Sequence, residues 1–193
     1  MSFDPAILAE LTKSFDATGY MRVVPSIHAS TPLGMGFGKT RFASPRDKFK
    51  LLYLASTPAT AVAETVIRDR FQGKAHRRIA EVEFQNRSIT EVTAFAKLQV
   101  LDIRGAGASL LNVPTDAVTA KNQTAGRAFS QRVYDETSLD GILYRSRLTG
   151  EDCVAIYDRA VVHLTAVPAI ELTTLAVLPA AIKTLHIQVI RGA

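Results

Sequence analysis

Apolar positions along the chain change period several times, and each change predicts an element. Asp4-Pro5 places a capping carboxylate and a proline at a helix start, and Ile7, Leu11 and Phe15 then recur at helical spacing as one apolar face. Gly19 ends that segment, and Tyr20–Val24 (YMRVV) reads as a short strand. Residues 25–48 hold three prolines and three glycines among several basic side chains and read as a long loop, a length that in a compact domain usually serves function. Lys50–Ala55 (KLLYLA) reads as a strand, and Ser56-Thr57-Pro58 starts a helix running to about Phe71 with Val62, Ala63, Val66 and Ile67 on its inner face. Arg78–Phe84, Ser88–Phe95 and Leu98–Ile103 read as strands. Ala125, Ala128, Phe129, Arg132, Val133 and Glu136 trace a second helix, and Gly141–Ser146, Asp152–Asp158 and Leu185–Ile190 complete the strands. Strands do not alternate regularly with helices, which predicts an α+β fold rather than a doubly wound sheet. With no internal repeat, low-complexity stretch or linker, a single domain over residues 1–193 is expected.

Composition adds limits rather than an answer. A hydrophobic fraction of 47% with 21% charged residues fits a folded chain and not a disordered one. The net charge of +5 favours an anionic partner, but the basic residues are spread along the chain, so a nucleic-acid-binding arm is not expected. The lone Cys153 excludes an intramolecular disulfide and a cysteine-based zinc cage, and within EDCVAIYD it reads as a small buried residue on a strand. His28, His76, His163 and His186 are too scattered to suggest a metal site. Asp4, Glu10 and Lys13 interrupt the first helix pattern, so no signal peptide is expected. No apolar run approaches the roughly 18 residues of a membrane span, and a cytoplasmic setting is the default expectation.

Within the long loop, GMGFGKT falls one residue short of a phosphate-binding P-loop. Such a loop works because a buried strand feeds the glycines and a helix starts at the Lys-Ser/Thr, aiming free N–H groups at phosphates. Here HASTPL precedes Gly34, and Pro45 follows too soon for a helix to begin at Thr40, so an ATP or GTP site is not expected.

Four other features carry more chemistry. Arg22 sits alone in an apolar strand, where a charge must meet solvent, a partner or a ligand. Tyr53 lies in the strand before the 57–71 helix, and Glu64 follows 11 residues later at the helix's polar margin. As a lone residue, Glu64 would be a surface carboxylate paired with Arg68 at i+4. In Tyr144–Arg147 (YRSR), Ser146 ends a strand between two arginines.

In their order, these pieces resemble the RES domain, a family of bacterial toxins named for Arg, Glu and Ser. The resemblance runs from YMR (Arg22) through GKTRF (Arg41-Phe42) and a YLAxxPxxAxxE unit (Tyr53 to Glu64) to GIxYxSR (Gly141 to Arg147) followed by VAIYD. It departs at Met21, where the family often has Tyr directly before the first Arg, and at Gly-Lys-Thr-Arg, where it often has Gly-Gly-Arg. The resemblance implies an ADP-ribosyltransferase-like fold of mixed and antiparallel sheets with flanking helices. It further implies a cytoplasmic toxin that cleaves the nicotinamide–ribose bond of NAD, as glycohydrolase or phosphorylase, and so depletes NAD and arrests growth.

NAD has two phosphates suited to Arg or Lys, a flat nicotinamide suited to an aromatic ring, and a ribose carbon that becomes cationic as the bond breaks. On that basis Glu64 would stabilise the cationic ribose, Arg22 and Arg41 would bind the diphosphate, and Lys39 would help them. Tyr53 would stack on nicotinamide, Ser146 would hydrogen-bond the ribose or amide, and Phe42 and Tyr144 would contact the substrate. No metal and no cofactor is implied; NAD is the substrate, with inorganic phosphate as co-substrate if the reaction is a phosphorolysis. The implied partner is an antitoxin with a helix-turn-helix DNA-binding domain, without membrane or direct nucleic-acid contact, and a homodimer is left open. ADP-ribosyl transfer to a protein is the alternative activity. A nucleic-acid-binding or RNA-cleaving toxin ranks lower, since the chain has no tryptophan and no histidine pair.

Overall fold

The first helix, α1 (Pro5–Leu11), begins as its sequence predicts, with the Asp4 carboxylate accepting from the Ala6 N–H at 2.8 Å. It is shorter than predicted. Thr12–Phe15 form strand β1, which pairs antiparallel with β6 (Leu98–Asp102) from Thr12↔Leu101 to Phe15↔Leu98. Phe15 therefore belongs to a sheet and packs edge-on against Tyr20 with centroids 5.0 Å apart, instead of extending a helical face. In this computed structural model, residues 2–68, 70, 71, 74, 76–113 and 123–191 are described.

Among those residues the remaining strands are β2 (Met21–Pro25), β3 (Leu51–Ala55), β4 (Arg77–Ala80), β5 (Arg87–Ala94), β7 (Gly141–Arg145), β8 (Asp152–Tyr157), β9 (Leu164–Ala166), β10 (Ile170–Glu171) and β11 (Ile187–Ile190). Nine of the eleven strands make one mixed sheet in the order β1-β6-β7-β8-β3-β2-β5-β10, with β9 on β5. Only β6 and β7 run parallel within it; β4 and β11 form a separate parallel pair. The fold is α+β, as the irregular order of elements predicts.

The central strands are apolar on both faces because both faces are covered. Along β3 the pleat sends Leu51, Tyr53 and Ala55 to one core and Leu52 and Leu54 to the other. Likewise Ile142 and Tyr144 of β7 and Cys153, Ala155 and Tyr157 of β8 share the first core, while Leu143, Val154 and Ile156 enter the second. Helix α2 (Pro58–Val62) covers the first core beside β2 and β3. Its start is set by the Thr57 hydroxyl, which accepts from the Thr60 N–H at 3.1 Å. From Ala63 to Ile67 the helix widens into a π turn, closed by the Arg68 N–H donating to the Ala63 carbonyl at 2.8 Å. The predicted continuation toward Phe71 is not formed; the helix stops at Ile67, and Asp69 lies outside the described residues.

Two other expectations change. The strand predicted over Arg78–Phe84 ends at Ala80, where its partner β11 runs out at Ile190, and Val82–Gln85 turn into a short helix, α3, that buries Phe84. After α4 (Gly107–Leu110) and α5 (Thr124–Glu136), strands β9 and β10 and helix α6 (Leu178–Thr184) occupy a stretch where no element is predicted.

One topological detail positions everything that follows. β2 and β3 are sheet neighbours through the single pair Met21↔Ala55, whereas β3 pairs with β8 over five positions and β2 with β5 over five. From that point the two strands part.

Candidate active site

Where β2 and β3 separate, a cavity of about 300 Å³ opens between them and the π turn. That volume lies at the small end of ligand pockets. Its polar character is one-sided. Among the described residues, Arg22, Arg41, Arg68, Arg87, Arg145 and Arg147 line it against one carboxylate, Glu64. Such a lining suits an anionic ligand.

Three rings or thiols from adjacent strands make the inner wall. Tyr53 on β3, Tyr144 on β7 and Cys153 on β8 share one sheet face, and Tyr144 pairs directly with Cys153 in register. Burial pushes the Cys153 thiol up to about 12 and raises the Tyr144 phenol well above its usual value, so both stay neutral across the ordinary pH range.

Glu64 reaches the cavity from the π turn, and its Oε1 accepts from the Ser146 hydroxyl at 2.6 Å. Ser146 is 3% exposed. Its Oγ accepts in turn from the Leu148 and Thr149 N–H groups at 3.1 and 3.3 Å. Two donors on the oxygen leave its one hydrogen aimed at Glu64, so the turn after β7 fixes the carboxylate's orientation. No Glu64–Arg68 ion pair forms among the described residues; the π turn replaces the regular helical spacing that would bring them together.

The loop over the cavity is tied at both ends. Arg22 Nη1 donates to the carbonyls of Pro32 and Gly34 at 2.7 and 2.9 Å, and burial lowers the Arg22 guanidinium to about 10. Further on, the Tyr53 hydroxyl bonds Thr40 Oγ1 at 2.8 Å and accepts from the Phe42 N–H at 3.1 Å, while Arg127 of α5 donates to the Thr40 carbonyl. Burial pushes the Tyr53 phenol up to about 12. Between these anchors, a side chain at Gly36 or Gly38 would meet nothing within 4 Å. No helix starts at Thr40, in keeping with the exclusion of a P-loop.

Five of the predicted residues, Glu64, Arg22, Arg41, Tyr53 and Tyr144, are brought together on the cavity wall. Three are not. Ser146 stands behind Glu64 rather than on the wall. Phe42 is fully buried, its ring edge-on to Tyr144 at 5.1 Å, one layer beneath the surface a ligand could touch. Lys39 is exposed on the glycine loop, off the wall. Sequence reasoning missed Arg68, Arg87 and Cys153 as wall residues. Arg68 was visible only as a helical neighbour of Glu64, and Arg87 arrives by β-pairing from a distant segment. Among the described residues, no group of three or more His, Cys, Asp or Glu side chains is placed to hold a metal ion, and no helix is long and apolar enough to cross a membrane.

Comparison with known proteins follows the same residues. The family model of the RES domain matches residues 20–176, a span that contains β2, the loop, Glu64 and Ser146. A protein of Sinorhizobium fredii (strain NBRC 101917 / NGR234) described as probable toxin y4kH is 34% identical over 100 residues, which make up 51% of this chain and 79% of that protein. A chain in the crystal structure of the M. tuberculosis MbcT–MbcA toxin–antitoxin complex superposes with a TM-score of 0.68 over 95% of this chain and 98% of its own. At 15% identity that likeness is one of fold.

Proposed function

The chain belongs to the RES domain family, and on that premise we propose that it is the toxin of a toxin–antitoxin pair whose cavity binds NAD and breaks the nicotinamide–ribose bond. The observation that carries this reading is a single carboxylate, oriented by a buried serine, on a cavity wall whose other charged side chains, among the described residues, are all arginines.

The chemistry follows from those groups. When the bond between ribose C1 and the pyridinium nitrogen breaks, its electron pair goes to nitrogen and nicotinamide leaves neutral. The ribose carbon is left as an oxocarbenium-like cation. Glu64, held by Ser146, supplies the negative charge that stabilises it. Arg41 and the other wall arginines attract the diphosphate, and the ring of Tyr53 offers a face for nicotinamide. Because Arg22 already holds two loop carbonyls, its first task is to keep the glycine loop over the site. Ser146 serves as a positioning residue, since its hydroxyl is committed to Glu64. Water attacking the ribose carbon yields ADP-ribose and a proton; inorganic phosphate yields ADP-ribose 1″-phosphate. A protein side chain in the same place would make the enzyme an ADP-ribosyltransferase.

Incubation of the purified chain with NAD, with and without phosphate, followed by product identification tests the proposal. Release of nicotinamide that disappears in Glu64→Gln is expected; turnover unchanged by that substitution excludes the mechanism. The partner we propose is an antitoxin that covers the cleft, so the complex should bind NAD more weakly than the free chain. Equal binding by the two rules out that mode of inhibition.

A further inference from the structure

Arg68 ends the π turn with φ 46° and ψ −130°, a left-handed backbone that glycine adopts freely and arginine does not. Such strain persists only where the surroundings impose it, and it gathers at functional positions. The imposing elements are visible. Ala63, Val66 and Ile67 are buried to within 1% exposure, and the Arg68 N–H is held by the Ala63 carbonyl at 2.8 Å, so the chain has to leave the core at this residue.

Arg68, an exposed residue, is among those that line the cavity that Glu64 enters. Among the described residues it makes no side-chain hydrogen bond or ion pair, unlike Arg22, which is spent on loop carbonyls, or Arg104, which is spent on Asp102 and Asp152. A cation after a helix C-terminus is favourable in itself. That accounts for a basic residue in the last turn but not for an arginine at a position whose backbone calls for glycine.

We infer that Arg68 is a phosphate-binding residue of this cavity, projected there by the π turn and the left-handed backbone that ends it. With the substrate reading above, on which the identity of the ligand rests, the group it engages is the diphosphate of NAD. The guanidinium fork matches two phosphate oxygens at once, and among the described residues it has no partner to be displaced before it binds.

The test compares the full-length chain with Arg68→Gly, Arg68→Gln and Arg68→Lys, using pyrophosphate as a binding probe by calorimetry and NAD by nicotinamide release. Thermal unfolding of each variant confirms that it is folded. Pyrophosphate affinity is expected to fall about tenfold in Arg68→Gly and Arg68→Gln, the equivalent of one lost charged hydrogen bond, with partial recovery in Arg68→Lys. The loss with NAD should fall on KM rather than on kcat. Pyrophosphate binding equal in all four proteins, or absent from the unsubstituted chain, overturns the inference. Pyrophosphate binding that depends on Arg68 in a chain that does not consume NAD keeps the inference and removes the NAD reading instead.

Discussion

The hydroxyl of Ser146 donates to Glu64 Oε1 across 2.6 Å, joining residues 82 positions apart in the chain. Because that hydroxyl is itself held by two backbone N–H groups, the carboxylate is oriented by the turn after β7 and not only by its own helix. Glu64→Gln should reduce nicotinamide release by roughly a thousandfold while the cavity remains formed. Ser146→Ala should lower kcat by about tenfold to a hundredfold with a smaller change in KM, since it frees the carboxylate without removing it. Steady-state kinetics decides: a Ser146→Ala effect confined to KM would place the serine on the substrate.

Tyr53→Phe keeps the ring on the cavity wall and deletes the hydroxyl that bonds Thr40 and accepts from the Phe42 N–H. A loss of about 1–2 kcal/mol in stability is expected, with faster amide exchange at Phe42. Arg22→Met should act at the other anchor, raising exchange and proteolysis around residues 32–36. Unchanged protection in both variants would mean that the loop is held by something else.

Partial burial works against the charge of Asp102, yet side-chain and backbone hydrogen bonds from Arg104 hold its carboxyl below the usual range. An unfolded aspartate titrates near 3.9. The stabilisation is therefore present above that value; as pH falls below it the unfolded chain takes up the proton first, and the stabilisation is lost as pH falls on through the lower folded value. Asp102→Asn should cost about 1–3 kcal/mol at neutral pH and flatten the acid limb of the stability curve. Chemical denaturation at pH 7 and at pH 3 checks this; parallel acid limbs would remove Asp102 as a contributor.

Gly141 opens β7 where a Cβ would lie 2.5 Å from the Ala155 carbonyl oxygen and 3.1 Å from the Ile156 Cα, both backbone atoms of β8. Gly141→Ala should destabilise the chain by about 1–3 kcal/mol, because the central ladder must part to admit it. Denaturant unfolding measures the loss, and a neutral result would show that β7 and β8 can slide.

Much of the central sheet was legible in advance because KLLYLA, GILYR and CVAIY are apolar on both faces, a pattern that needs no knowledge of neighbours. Asp4-Pro5 and Thr57-Pro58 marked their helix starts through local capping chemistry. The elements that escaped, β1, α3, α4, β9, β10 and α6, are short or take their form from pairing and packing. Phe15 illustrates the limit: its spacing from Leu11 is helical, but the edge of β6 was available to pair with it.

The same division runs through the site. Glu64, Arg22, Arg41, Tyr53 and Tyr144 could be singled out along the chain because residue type, order and local context carry their chemistry. Whether each faces a ligand, a loop or the core could not, because that depends on where β2 leaves β3 and on one widened helical turn. Those two features put Arg22 on loop carbonyls, Phe42 beneath the wall, Ser146 behind Glu64 and Arg68 on the cavity wall. Local propensity acts between near neighbours and is written in the sequence. The splay of two strands and the strain at Arg68 balance contacts from distant segments, and they exist only once the chain has folded.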